Sequence, residues 1–223
     1  MRYFPVFADL QNADVLVVGG GEQAAQKVRL LQKTSAHISV VAEDANAKLR
    51  GLAATGAIRL IARELSGSDL GGVRLAYVAT GDRERDEAIS ALAWSRGIPV
   101  NVVDSPELST FITPAIVDRD PVVVAIGTEG AAPVLARDIK SKLETLLPAK
   151  LGALAVRAQG LRELIHSRIA DNGVRRRLWE RLLLGPFRHA VLSGTDDNAD
   201  RILAAELQGA AASRGRVALI GCG

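Results

Sequence analysis

The chain has 223 residues, 48% of them hydrophobic and 24% charged, with a net charge of +3. That length can bury one large core or two small ones, and so mild a basic excess does not by itself argue for nucleic acid. A single cysteine, Cys222, excludes an intramolecular disulfide, and no apolar run approaches the roughly 20 residues that span a bilayer.

The first ten residues, MRYFPVFADL, do not make a signal-peptide pattern, so a cytoplasmic location is expected. From Asp14 onward short apolar runs alternate with amphipathic stretches. VLVVG (15–19) predicts a buried strand, and EQAAQKVRLLQKT (22–34) a helix with Ala25, Val28 and Leu31 on one face. HISVVA (37–42) predicts a second strand, NAKLRGLAATG (46–56) a second helix and AIRLIA (57–62) a third strand. VRLAYVAT (73–80), a helix around 83–96 and PVNVV (99–103) complete the alternation. Continuously apolar strands taking turns with helices imply a parallel sheet covered on both faces, an α/β fold.

Beyond Asp104 the pattern changes. SPELSTFITPAIVDRD reads as irregular, punctuated by Pro106 and Pro114. PVVVAIGTEG (121–130) predicts another strand ending in glycines, and APVLARDIKSKLETLL (132–147) an amphipathic helix. From 151 to about 212 the pattern is helical, with breaks at Gly173, Gly185-Pro186 and Ser193-Gly194. GRVALIGCG (215–223) predicts a fresh strand running into a glycine turn, the expected start of a further domain.

Gly19, Gly21 and Ala24 satisfy G-x-G-x-x-G/A directly after a strand and at the opening of a helix. In such a turn the first glycine permits the tight bend, the second lets the backbone approach a pyrophosphate, and the small third residue lets helix and strand pack closely. Glu43 and Asp44 fall at the end of the second strand, near the offset at which a carboxylate bonds ribose hydroxyls. No arginine adjoins them in sequence to favour a 2′-phosphate, so NAD is expected rather than NADP. A packing turn and a methyltransferase-type nucleotide site are the competing readings.

Ligands of open parallel sheets bind beyond the carboxyl ends of the strands. Thr80, Asp82, Asn101 and Asp104 all fall at that edge. Asp104 could serve as a general base beside a nicotinamide, or cap the Asp-Ser-Pro turn that it opens. No His/Cys cluster has metal-ligand spacing, so a resident metal is not expected. Residues 157–188 carry eight arginines against three acids, with Arg175, Arg176 and Arg177 consecutive. They suit a polyanionic ligand or, equally, a solvated helix face.

FPVFADLQNADVLVVGGGEQAAQKVRLL, NVVDSPELSTFITPAIVDRDPVVVAIGTEGAAPVLAR and RRRLWERLL together resemble the N-terminal module of the siroheme synthase family. The resemblance implies a precorrin-2 dehydrogenase and sirohydrochlorin ferrochelatase, with NAD contacts around Glu22-Gln23 and Glu43-Asp44, and Asp104 shared by both reactions. Fe²⁺ would be a substrate, and the many carboxylates of the tetrapyrrole would give the arginines their role. It also implies a homodimer in which the 114–150 segment is exchanged or packed between subunits, PVVVAIG being an apolar strand in want of a partner.

The expected organisation is thus a Rossmann-like domain over 1–113, a small dimerisation segment over 114–150, an all-helical region over 151–214, and the start of a uroporphyrinogen-III methyltransferase domain at 215–223. Family members often carry Ser-Ser-Gly-Gly where this chain has Gly127-Thr128-Glu129-Gly130. Thr128 keeps a hydroxyl where a serine can be phosphorylated in the family, while Glu129 already supplies negative charge. A nucleotide-sensing regulatory module without chemistry is the alternative function. Neither membrane nor nucleic acid is expected as a partner.

Overall fold

The computed structural model describes residues 1–212. GRVALIGCG, and the strand expected there, lies outside the described residues. The chain divides into two compact units, Met1–Thr113 with Glu129–Ala131, and Pro114–Thr128 with the residues from Ala132 onward.

The first unit is built on β1 (Asp14–Val18), α1 (Glu22–Leu31), β2 (His37–Val41), α2 (Ala47–Ala54), β3 (Arg59–Ile61), β4 (Val73–Val78), α3 (Arg83–Ser95) and β5 (Val100–Val102). The strands form a five-stranded sheet in the order β3-β2-β1-β4-β5, every pair parallel. Side chains alternate across a strand, so β1 feeds two cores. Val15 and Val17 join Val28, Val40 and Leu49 on the face covered by α1 and α2. Leu16 and Val18 join Val78, Ile89 and Val100 on the face covered by α3. Each fully buried aliphatic side chain of this kind contributes about 1.5–3 kcal/mol. The chain winds outward from β1 to β3 and then lays β4 on the other side of β1, which makes the β1/β4 boundary the switch point where such sheets open a crevice.

The turn from β1 into α1 is tight. Gly19 has φ +125°, and a Cβ built there would lie 2.1 Å from the carbonyl oxygen of Ala79. At Gly20 a Cβ would lie 1.7 Å from the carbonyl oxygen of Asp44. The turn is therefore wedged between the chain leaving β4 and the chain leaving β2, and only backbone fits. Ala24, fully buried, lets α1 sit against the sheet.

The second unit opens with an antiparallel hairpin, β6 (Ala115–Arg119) and β7 (Val122–Ile126), in which Val117 opposes Val124. Five helices follow: α4 (Pro133–Leu146), α5 (Leu151–Arg168), α6 (Asn172–Leu184), α7 (Pro186–Ser193) and α8 (Asp196–Ala212). The Arg119 guanidinium closes the end of α4, donating to the carbonyls of Glu144 at 3.0 Å and Leu147 at 3.3 Å. Ile165, Ile169, Leu178, Leu182 and Phe187 form the centre of the helical core.

Three expectations need correction. The stretch before residue 120 is not wholly irregular, because AIVDR forms β6. Only Val117 of that strand is buried, so it lacks the apolar run that marks the parallel strands. β7 consequently finds its pairing partner within its own chain, which removes the ground on which PVVVAIG was expected to need another subunit. The break between α5 and α6 lies at Ile169–Asp171, not at Gly173. Asp171 accepts a hydrogen bond from the Val174 amide and starts α6, and Gly173 is tolerated inside its first turn.

These contacts make a contrast among glycines testable by urea unfolding. Gly20→Ala should destabilise the protein by at least about 1–3 kcal/mol, since backbone and not a yielding side chain blocks the new Cβ. Gly51→Ala, inside α2 with nothing within 4 Å of the added atom, should instead stabilise it by about 0.5–1 kcal/mol.

Candidate functional site

Three segments meet at the carboxyl edge of the sheet: the β1–α1 turn, the end of β4 and the turn after β5. Hydrogen bonds continue the ladder past the strands, from the Ala79 amide to Val18 and from the Val103 amide to Val78.

Gly21 is the residue before α1, in an extended conformation, and no side chain caps the helix. A Cβ on Gly21 would meet nothing within 4 Å. The first bond of the helix runs from the Ala25 amide to the Gly21 carbonyl, so the amides of residues 22–24 precede the intrahelical ladder. By contrast Asn46 caps α2 and Asp82 caps α3. Open amides at the positive end of a helix suit a pyrophosphate, and the turn fits a dinucleotide. The one acid in this first turn, Glu22, is drawn sideways to Lys48 at 2.8 Å and Arg29 at 3.6 Å. The hydrogen bond from Lys48 holds its carboxyl below the usual value.

Glu43 and Asp44 follow β2 as expected, but each has an arginine beside it. Arg85 lies 3.1 Å from Glu43 and Arg50 lies 3.4 Å from Asp44. The ground for preferring NAD over NADP, that no arginine is adjacent, fails because folding brings one from α3 and one from α2. Thr80 is half-buried, and its hydroxyl donates to the buried carboxylate of Asp86 at 2.6 Å, tying the end of β4 to α3. Asn101 is buried, and its amide donates to the Phe111 carbonyl at 3.0 Å. One N–H of that amide thereby ties β5 to the segment that follows it.

Asp104 is exposed and has φ +60°, a left-handed conformation uncommon outside glycine. Its Oδ2 accepts a 2.7 Å hydrogen bond from Gln23 Nε2, so α1 holds the carboxylate. One turn further along α1 is Lys27, half-buried, with its ammonium 5.4 Å from the centroid of the Tyr77 ring. Burial pushes the Lys27 pKa down from 10.5, and the charge of Asp104 acts in the opposite sense. Tyr77 is buried on β4, with Phe111 edge-on at 5.4 Å and its hydroxyl accepting from Thr113 at 3.2 Å. Lys27 and Tyr77 did not figure among the expected site residues. The available signal was Lys27 four residues after Gln23, and so on the same helical face.

Two of the three consecutive arginines in the helical unit have different partners. Arg175 donates to the carbonyls of Ile169 and Ala170, closing the end of α5. Arg176 pairs with Glu180 at 3.0 Å. Neighbours on a helix point about 100° apart, so Arg175, Arg176 and Arg177 leave α6 in different directions. A groove of about 450 Å³ between α5 and α6 brings Arg162 and His166 together with Arg175 and Trp179 instead. Thr128 is half-buried in the turn after β7. Among the described residues no group of three or more His, Cys, Asp or Glu side chains could hold a metal ion, and no helix is long and apolar enough to cross a membrane.

Comparison with known proteins gives a consistent set of relatives. A family described as NAD(P)-binding matches residues 6–115, and one described as the sirohaem synthase dimerisation region matches residues 150–207. The second match falls on the helices α5 to α8. The siroheme synthase of Methylococcus capsulatus is 43% identical over 227 residues, covering all of this chain and 48% of the relative. That of Thioalkalivibrio sulfidiphilus is 42% identical, again over the whole chain and 46% of the relative. The chain thus spans about half the length of the curated relatives it matches. Among solved structures, SirC, a precorrin-2 dehydrogenase, superposes with a TM-score of 0.69 at 25% identity, covering 93% of this chain and 100% of its own.

The opposed influences on Lys27 give a pH test. Following the lysine side-chain resonance through a titration should place the Lys27 midpoint below that of an exposed lysine. Asp104→Asn removes the charge that favours the ammonium, so it should move the midpoint further down. A midpoint that rises or stays fixed in Asp104→Asn would mean that the two groups are not coupled.

Proposed function

We propose that this chain, similar along its whole length to siroheme synthases, acts as they are named: it oxidises precorrin-2 to sirohydrochlorin with NAD⁺ and then inserts Fe²⁺ to give siroheme. One observation carries this reading: an uncapped, open glycine turn and an exposed carboxylate held by the same helix lie together at the carboxyl edge of one sheet.

The amides that follow Gly21 would hold the pyrophosphate, with Gly19 and Gly20 keeping the turn narrow. Glu43 and Asp44 would face the adenosine ribose. Their pairing with Arg85 and Arg50 makes the choice between NAD and NADP a matter for direct measurement, and NAD is retained as the proposal. When bound, the dinucleotide supplies the hydride acceptor.

Asp104 accepts the proton that leaves the macrocycle, so that the substrate loses one hydride and one proton in all. In the second reaction the ring exchanges two pyrrole N–H protons for the ferrous ion, and the same carboxylate can receive them in turn. Iron is here a substrate and not a resident cofactor. Thr80 and Asn101 act structurally, holding α3 and the segment after β5 in place. Within the helical unit, Arg162, His166 and Arg175 line one groove that would suit an anion. The match of residues 150–207 to a dimerisation region supports a homodimer assembled through the helices.

The test is NADH formation on mixing the protein with precorrin-2 and NAD⁺. Asp104→Ala should lower the rate by about 10²- to 10⁴-fold, the range for loss of a general base, with NAD⁺ binding retained. Near-full activity in that variant would remove Asp104 from the mechanism. Gly21→Leu should block cofactor binding and dehydrogenation while sparing iron insertion into supplied sirohydrochlorin. Loss of both reactions in a folded Gly21→Leu protein would contradict separate cofactor and ring sites.

A further inference from the structure

We infer that Gln23 and Lys27, one turn apart on α1, are the residues that position Asp104, Gln23 by a hydrogen bond to one carboxylate oxygen and Lys27 by a positive charge on the same helix face. This rests on Asp104 being the proton acceptor proposed above, and it gives the Gln23 side chain a part in the chemistry while its backbone amide stays with the cofactor turn.

Asp104 needs such support. It follows the last strand of the sheet, is exposed, and sits in a left-handed conformation. An exposed carboxylate ordinarily samples several rotamers, and a base must be aimed to work. The 2.7 Å bond from Gln23 Nε2 fixes Oδ2 and leaves Oδ1 as the oxygen available to a proton. The Gln23 backbone is fixed in the first turn of α1, next to Ala24, which is fully buried.

Lys27 is the less expected member. Burying an ammonium is unfavourable unless something opposite compensates, and among the described residues Lys27 has no ion pair within salt-bridge distance. Its compensation is the Tyr77 ring at 5.4 Å and the field of Asp104. Tyr77 in turn is locked by Thr113 and Phe111. The charges near this helix face divide cleanly: Glu22 is turned to Lys48 and Arg29, which leaves Lys27 as the cation coupled to Asp104. A lysine placed only for packing gains nothing there over a methionine.

The experiment uses the full chain with precorrin-2 and NAD⁺. Gln23→Leu should reduce kcat by about 10- to 100-fold, the scale of a misaimed catalytic group, with KM for NAD⁺ unchanged. Lys27→Met should also reduce kcat, and Lys27→Arg should recover most of it. A raised KM for NAD⁺ at intact kcat in Gln23→Leu would return Gln23 to the cofactor and overturn the inference. Equal kcat in Lys27→Met and the parent would do the same for Lys27. A second readout does not depend on turnover: Asp104→Ala should shift the side-chain amide resonance of Gln23. An amide indifferent to that substitution overturns the inference even in an active enzyme, whereas a shifted amide in a protein that makes no NADH upholds the positioning and rejects the proposed function.

Discussion

Gly20 carries no side chain because the Asp44 carbonyl oxygen stands where one would be, 1.7 Å from an ideal Cβ. That close passage, together with the left-handed Gly19 against Ala79, lets the first turn squeeze between the ends of β2 and β4. Everything at the sheet edge follows from it. With the turn so placed, α1 begins with uncapped amides facing open space, and its first two turns carry Gln23 and Lys27 toward the chain leaving β5. A bulkier turn would lift α1 off the sheet, and the anion-binding end and the carboxylate would part company.

The two layers of apolar packing serve this arrangement. Val15 and Val17 on one face of β1, and Leu16 and Val18 on the other, tie the strand into both cores at once. The strand that delivers the turn is therefore the most fixed in the unit. Thr80 with Asp86 and Asn101 with Phe111 then pin the other two segments at the edge. Both polar side chains, expected at the cofactor, make hydrogen bonds that brace this edge. The groups left for ligands are backbone amides and a few exposed charges, which suits a site that holds a large dinucleotide and meets an anionic partner.

The parallel strands were legible because most of their residues are buried, so each appears as a mainly apolar run. β6 was not, since a half-buried hairpin strand such as AIVDR derives its pairing from β7 and not from its own composition. The glycine turn and Asp104 could be placed from spacing alone, as strand ends in such a sheet all open on one edge. What spacing could not reveal was direction. Gln23 follows the glycine motif and so looks like a cofactor residue, yet its amide reaches Asp104, 81 positions away. Arg85 lies 42 positions from Glu43, and only the packing of α3 brings them together. The run at Arg175–Arg177 shows the reverse effect: adjacency in sequence turns side chains in different directions on a helix.

The central claim is that a hydride acceptor and an anionic macrocycle meet at Asp104 above the β1–α1 turn. A crystal structure of the full chain with NAD⁺ and a sirohydrochlorin-type tetrapyrrole tests it most directly. The account predicts the pyrophosphate on the amides following Gly21 and a reacting ring position within about 3–3.5 Å of the Asp104 carboxylate. A ring seated with that carboxylate facing only solvent, or a dinucleotide bound away from the glycine turn, would contradict it.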